Sequence, residues 1–239
     1  MEAQTEPHLK ILQILSDQTR PLHPRQALRK YESHPVNMLR PSPMIYRNRL
    51  SYYNRIGRVL WAVVWLTLYR PSPLPLFGWR RLLLRCFGAC IGTKANPYPS
   101  CRIWAPWNLT MGAFSCLAND VDCYSVDSIV LGEFATVSQQ AMLCTATHDY
   151  NDPNFRLVTK PIMIGPRAWI GARAFVGPGV NVGEGAVVGA ASAVFRDVSS
   201  WTVVGGNPAH PLKKRSIAKQ PARSDTTLKE SNEQDRQQT

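Results

Sequence analysis

From Ile164 onward the chain keeps a six-residue beat: Ile164, Ile170, Val176, Val182, Val188 and Val194 stand six apart, and glycine follows each except Val194. The same beat runs through Leu131, Val137 and Leu143. An amphipathic helix repeats its apolar residues every three or four positions and a half-buried strand every two, so neither carries this spacing. A triangular solenoid does. Three hexads close one turn, so residues 164–199 make two turns and residues 131–148 one. In each hexad the aliphatic residue points inward and the following glycine lets the chain turn without a side-chain clash. The small fifth residue (Ala168, Ala174, Ala186, Ser192) fits the crowded interior near the next corner. Turns then stack at ~4.8 Å, each backbone group paired to the turn above or below. A flexible glycine-rich segment would not hold six aliphatic positions in phase or place Trp169 and Phe175 among them.

The beat starts raggedly at Ile91. Ile103 and Leu109 hold one phase, Met111 and Leu117 another, and the phase slips again before Leu131. Residues 91–130 are read as first turns distorted by insertions around 98–106 and 125–128. Between Leu143 and Ile164 the interval is 21, which is 15 more than the beat, so residues 148–162 form a loop thrown out of the coil. Long loops on a rigid scaffold are where function concentrates. After Val198 the pattern ends, and the turn at 205–208 closes the stack of residues 91–210.

Around this array the composition changes. Residues 1–90 carry 14 Lys/Arg against 4 Asp/Glu, residues 91–210 carry 7 against 8, and residues 211–239 carry 7 against 4, for a net charge of +12. The near-neutral repeats argue against nucleic acid as a partner. Residues 1–44 read as a mostly disordered extension with one weak apolar patch at 9–15, and residues 211–239 as a polar, disordered tail. Within the basic-apolar helical segment 45–90, the run VLWAVVWLTLY covers residues 59–69 before the breaker Pro71-Ser72-Pro73. Eleven residues do not span a bilayer, which takes ~20. The run either packs on protein or lies at a membrane surface, with the second basic-apolar stretch at 78–88 keeping peripheral membrane contact through 45–88 open. Six cysteines without a C-x2-C pair read as buried free thiols of a reducing cytosol, and the N-terminus lacks the features of a cleaved signal peptide.

His148 is the one histidine within the repeats, at the root of the long loop. Imidazole is the side chain best matched to proton transfer near neutral pH. Cys144 follows the inward Leu143 and reads as a packed thiol rather than a nucleophile. A solenoid carbonic anhydrase would need three histidines on a metal, so no metal site is expected. An inert structural solenoid would leave the loop and the histidine together unexplained.

The run CTATHDYNDPNF, followed by TKPIMIGPRAWIGARAFVGPGVNVGEGAVVGAASAVFRDVSSWTVVGGNPA, resembles the hexapeptide-repeat O-acetyltransferases, and most closely the colanic acid biosynthesis branch related to maltose, galactoside and nodulation acetyltransferases. The resemblance covers roughly residues 45–215. It implies an all-β, left-handed parallel β-helix, a homotrimer, and acetyl-CoA as acetyl donor in the groove between subunits. It further implies that His148 is the general base for an acceptor hydroxyl that attacks the thioester directly, without an acyl-enzyme. Ala172 matches the backbone N–H donor to the oxyanion, and Asn119 the asparagine that helps bind the acceptor. Trp169 matches an aromatic packing on acceptor or cofactor, and Ala190 the small residue beneath the pantetheine arm. Arg196 and Lys213 match basic positions near the nucleotide phosphates. His210 stands where Lys or Arg usually follows GNPA, weakening one phosphate contact, and Phe195 stands where Thr is usual.

The expected function is acetyl transfer from acetyl-CoA to a sugar hydroxyl in exopolysaccharide or surface-glycan assembly, by a cytoplasmic enzyme, peripheral to the inner face of the membrane if it works on a lipid-linked saccharide. A xenobiotic acceptor such as an antibiotic, a different acyl donor, and a non-catalytic scaffold are the competing readings.

Overall fold

A computed structural model describes residues 51–216. The expectations for residues 1–44 and for the tail beyond 216 lie outside those residues. The repeats form a parallel β-solenoid whose short strands stack into three flat faces. The first face stacks Cys90–Ile91, Leu109–Met111, Ile129–Leu131, Ile162–Ile164 and Asn181–Val182. The second runs from Asn96–Pro97 through Cys116–Leu117, Thr136–Val137, Trp169–Ile170 and Val187–Val188 to Thr202–Gly205. The third stacks Arg102–Ile103, Asp122–Tyr124, Met142–Cys144, Phe175–Val176 and Ala193–Val194. Registers follow the sequence beat: Leu131 pairs with Ile164 and Ile164 with Val182, Val137 with Ile170, and Leu143 with Val176. The inward ladder is almost dry, with Leu131, Ile164, Ile170 and Val176 no more than 1% exposed. Ala168, Ala174, Ala186 and Ser192 are buried beside it, as their place in the hexad predicts.

Two details of the corners differ from the simple expectation. Most of the hexad glycines, Gly165, Gly171 and Gly183 among them, are required by the next coil rather than by their own torsion angles. A Cβ on Gly112 would lie 2.6 Å from the Glu133 backbone nitrogen, and one on Gly171 2.6 Å from that of Ala190. The left-handed conformation falls two residues later, on non-glycine residues such as Arg167 (φ 57°) and Arg173 (φ 59°). Backbone bonds hold those residues there: the Arg167 N–H donates to the Glu133 carbonyl and that of Arg173 to the Gln139 carbonyl, both one coil away. After residue 208 the chain also turns back, and His210–Lys214 forms an antiparallel strand on Thr202–Gly205. Ordered structure therefore extends past 210 and takes in Lys213.

The basic-apolar segment forms two helices. The first, α1 (Tyr52–Val64), runs on through a π-helical turn at Trp65–Tyr69, and α2 covers Phe77–Cys86. Of the two sequence readings of the 59–69 run, packing on the protein holds for one side of it. The indole N–H groups of Trp61 and Trp65 donate to the carbonyls of Ile103 and Cys101 at 2.7 and 2.9 Å. Cysteine burial is mixed: Cys101, Cys123 and Cys144 are buried, but Cys86 and Cys90 are exposed, because they end α2 and begin the first coil.

Arg80 joins the helices to the prism. Fully buried, it donates to the carbonyls of Pro97 (2.7 Å), Pro73 (2.9 Å) and Leu74 (2.6 Å) and to Ser72 Oγ (2.9 Å). Arg80→Ala leaves these buried acceptors unpaired. The expected loss is about 3 kcal/mol, which for a chain of this size lowers Tm by roughly 6–12 °C in a thermal melt.

Candidate functional site

All the residues that break the beat gather on the edge between the third and first faces. Paired residues of successive coils are 20 apart from Ile91 to Met111 and from Met111 to Leu131, 33 apart from Leu131 to Ile164, and 18 apart from Ile164 to Val182. The first two coils thus bulge by two residues where the third throws out fifteen. Ser125 stitches the bulges, its Oγ donating to the Ala105 carbonyl and accepting from the Ala105 N–H. Asn108 donates to the carbonyls of Ser125 and Val126, both at 3.0 Å.

The thrown-out segment is a β-hairpin, not an irregular loop. Ala146–His148 pairs antiparallel with Leu157–Thr159, His148 opposite Leu157. Its tip is held by an Asp152–Arg156 ion pair and by the Asp149 carboxylate accepting the Asn151 N–H at 3.0 Å.

At the tip end of this ladder, opposite Leu157, His148 is half-buried. Its ring stacks on Phe155, centroids 4.4 Å apart and planes 7° from parallel, and Nδ1 lies 2.8 Å from the Phe155 carbonyl oxygen. A carbonyl only accepts, so Nδ1 carries the proton in the neutral ring and Nε2 carries the lone pair. One tautomer and one ring plane are thereby selected, as a general base requires. Cys144 is buried and its thiol donates to the Ala146 carbonyl at 3.1 Å, in agreement with a packed thiol.

The other sequence candidates lie elsewhere on the prism. Asn119, Ala172 and Ala190 follow Leu117, Ile170 and Val188 by two residues, so they align along the edge between the second and third faces. Asn119 is exposed, its Oδ1 accepting from Ser100 Oγ at 3.1 Å. Ala172 lies in the turn closed by the Ala174 N–H on the Gly171 carbonyl (3.3 Å), and its own carbonyl accepts from Ala191 (2.8 Å). Trp169 is on the flat second face, 49% exposed, its Nε1 donating to Ser138 Oγ at 2.8 Å. Arg196 and His210 line one cleft at the C-terminal end of the prism, with Phe195, Asp197 and Pro208. Lys213 is exposed on the same strand as His210. The edge bearing Asn119, Ala172 and Ala190 is separated from the His148 edge by the whole third face, roughly five extended residues or ~16 Å.

A cleft that sequence reasoning missed lies on that third face. It measures about 650 Å³ and opens between α1 and the coil, lined by Arg58, Arg102, Trp104, Asp122, Tyr124 and Met142 among others. Tyr124 borders the hairpin root, since Thr145 Oγ1 donates to its carbonyl at 2.8 Å. Trp104 and Tyr124 meet edge to face at 5.6 Å, and the Arg58 guanidinium sits 4.2 Å over the Trp104 ring. Desolvation pushes the Asp122 carboxyl above its ordinary value, and the Arg102 guanidinium pulls it partly back. The alternation of Arg102, Trp104, Asp122 and Tyr124 is visible in the sequence, but only the position of α1 turns it into a cleft.

No protein-family profile matches the chain. A protein named "Putative colanic acid biosynthesis acetyltransferase WcaF", from Escherichia coli (strain K12), is 40% identical over 162 residues, covering 68% of this chain and 89% of that relative. The protein of the same name from Shigella flexneri matches to the same extent. Among solved structures, a maltose O-acetyltransferase from Clostridium difficile 630 is 25% identical with a TM-score of 0.64, over 70% of this chain and 90% of its own. A hexapeptide-repeat acetyltransferase from Vibrio cholerae, VCA0836, is also 25% identical, TM-score 0.63, over 70% and 95%. Galactoside acetyltransferase in complex with coenzyme A shares the fold, at 20% identity and TM-score 0.65 over 74% and 90%. The chain belongs to the hexapeptide-repeat acetyltransferases, in the branch of the colanic acid biosynthesis acetyltransferases.

Proposed function

We propose that this acetyltransferase moves an acetyl group from acetyl-CoA to a sugar hydroxyl, with His148 as general base. The observation that carries the reading is the fixed tautomer of His148, three residues beyond Thr145, which bonds to the Tyr124 carbonyl in the lining of an aromatic, charged cleft. Nε2 takes the proton of the acceptor hydroxyl as its oxygen forms a bond to the thioester carbonyl carbon. The carbon–sulfur bond then breaks, and the leaving CoA thiolate takes that proton back from the His148 imidazolium, which restores the neutral base. The backbone N–H of Ala172 stabilises the charge on the carbonyl oxygen. Acetyl-CoA as donor is supported by structures of galactoside acetyltransferase with coenzyme A and of the Vibrio cholerae enzyme with acetyl coenzyme A. Arg196 and Lys213 supply positive charge at one end of the prism for its phosphates, with His210 beside Arg196 in the same cleft, and Trp169 and Ala190 line its path along the coil.

His148 and the Ala172–Ala190 edge stand a face apart, so one site holding both takes edges from two neighbouring copies. The homotrimer that the family resemblance implies would close such contacts into a ring, with Asn119 brought to the acceptor from the same edge as Ala172. The acceptor occupies the third-face cleft: aromatic rings pack on the C–H face of a sugar, while Asp122 and Arg102 bond its hydroxyls. Assembly of an exopolysaccharide or other surface glycan in the cytoplasm is the setting these features suit.

The test is steady-state thiol release from acetyl-CoA with a panel of saccharides and, as controls, hydroxyl-bearing antibiotics. Tyr124→Ala is expected to raise KM for the preferred saccharide about tenfold, the loss of ~1.4 kcal/mol of contact, with KM for acetyl-CoA unchanged. Equal rises in both constants, or a preference for an antibiotic, would remove the saccharide from this cleft.

A further inference from the structure

We propose that helix α1 presents its outward face to an anionic lipid surface. The helix is apolar on two opposite sides. Trp61, 3% exposed, and the half-buried Trp65 face the prism. On the far side Tyr52, Ile56, Val59, Leu60, Val63 and Leu66 form a stripe at helical spacing, all exposed, with Val59 at 65% and Leu66 at 61%. A helix that is apolar all round is normally covered all round. An exposed contiguous patch rimmed by charge marks an interaction surface.

Charge selects the occupant. Residues 51–90 contain Arg55, Arg58, Arg70, Arg80, Arg81 and Arg85 and no Asp or Glu. The contacts of Arg58, Arg70, Arg81 and Arg85 are with neutral groups: the Asn54 side chain, the Trp65 ring, and the carbonyls of Ala95 and Ile91. Self-association through this face would bring two arginine sets together and repel. Residues 1–50 carry 8 Lys/Arg against 4 Asp/Glu, the same sign, so charge does not favour them as the cover either. A bilayer bearing anionic headgroups accepts the apolar stripe at its acyl boundary and the exposed Arg55 and Arg70 among its phosphates, each worth ~1 kcal/mol near the surface. Among the described residues no helix is long and apolar enough to cross a membrane, so attachment lies in the plane of the surface. This inference stands apart from the acetyl-transfer reading, because it is measured without either substrate.

The full-length protein is sedimented with vesicles of phosphatidylcholine alone and of phosphatidylcholine mixed with phosphatidylglycerol. Binding is expected to the mixed vesicles only, and to weaken as salt is added. The double variant Val59→Asp/Val63→Asp should lower the bound fraction at least about tenfold, leaving Tm and the sedimentation-velocity mass unchanged. Failure of the wild type to bind mixed vesicles at low salt overturns the proposal, as does equal binding by the double variant. A change in the variant's mass would assign the stripe to a second copy and overturn it as well.

Discussion

His148→Gln is expected to lower kcat for acetyl transfer by about 10²–10⁴-fold, the range a positioned general base supplies, while KM for acetyl-CoA stays near that of the wild type. Glutamine keeps an N–H able to donate to the Phe155 carbonyl and fills similar space, so the hairpin stays folded. What it lacks is a basic nitrogen. Glutamine thus separates proton removal from hairpin support, which His148→Ala would confound by also deleting the stack on Phe155. Rates are read by thiol release under saturating acetyl-CoA. Unchanged kcat would rule out imidazole catalysis and favour the scaffold reading if the wild type is inactive too. A fall confined to the KM of the acceptor would make His148 a binding group.

The second large effect is on stability. Gly112→Val places a branched side chain where even a Cβ lies 2.6 Å from the Glu133 nitrogen and 2.7 Å from the Gly132 carbonyl carbon. Backbone on both sides is locked into the ladder, because the Gly112 N–H donates to the Leu131 carbonyl at 2.7 Å. Neither coil can retreat without breaking pairs. The expected cost is about 3 kcal/mol or more, a Tm fall of roughly 6–12 °C. Arg167→Gly is the control, since it replaces a residue already held at φ 57°. That substitution relieves a strained backbone and should be near neutral or stabilising by differential scanning calorimetry.

The six-residue beat carried most of the fold because every inward position of a coil sees the same environment: ladder neighbours above and below, and a fifth-place residue too crowded for anything large. The corners were less legible. Gly165 and Gly171 are visible as glycines, yet the reason for them is the neighbouring coil's backbone, which no local pattern displays. Arg167 and Arg173 adopt left-handed backbone because inter-coil hydrogen bonds override their preference, a tertiary effect absent from propensity. The phase slips before Met111 and Leu131 read as scattered distortions. In space they are two bulges stacked on one edge with the hairpin, so the irregular residues collect beside His148.

The site was partly legible for the same reason. His148 stood out because it falls where the beat breaks, and the beat itself revealed that break. Whether it met Asn119, Ala172 or Ala190 could not be seen from spacing, because the edge a residue occupies depends on the coil's phase. Helix α1 shows the clearest limit. Its apolar residues lie on both sides, so periodicity did not choose between Trp61 and Val59 as the packed face, and with that choice went the third-face cleft.

The central claim is a direct transfer from thioester to carbohydrate alcohol. The most direct measurement is product stoichiometry: thiol released and O-acetyl ester formed, the ester followed by mass spectrometry of the saccharide, with wild type and His148→Gln in parallel. The account predicts one ester per thiol, no acetyl retained on the protein when the saccharide is withheld, and loss of both products in the variant. Acetylated protein accumulating without acceptor, or thiol release by wild type with no acetylated saccharide, would contradict it.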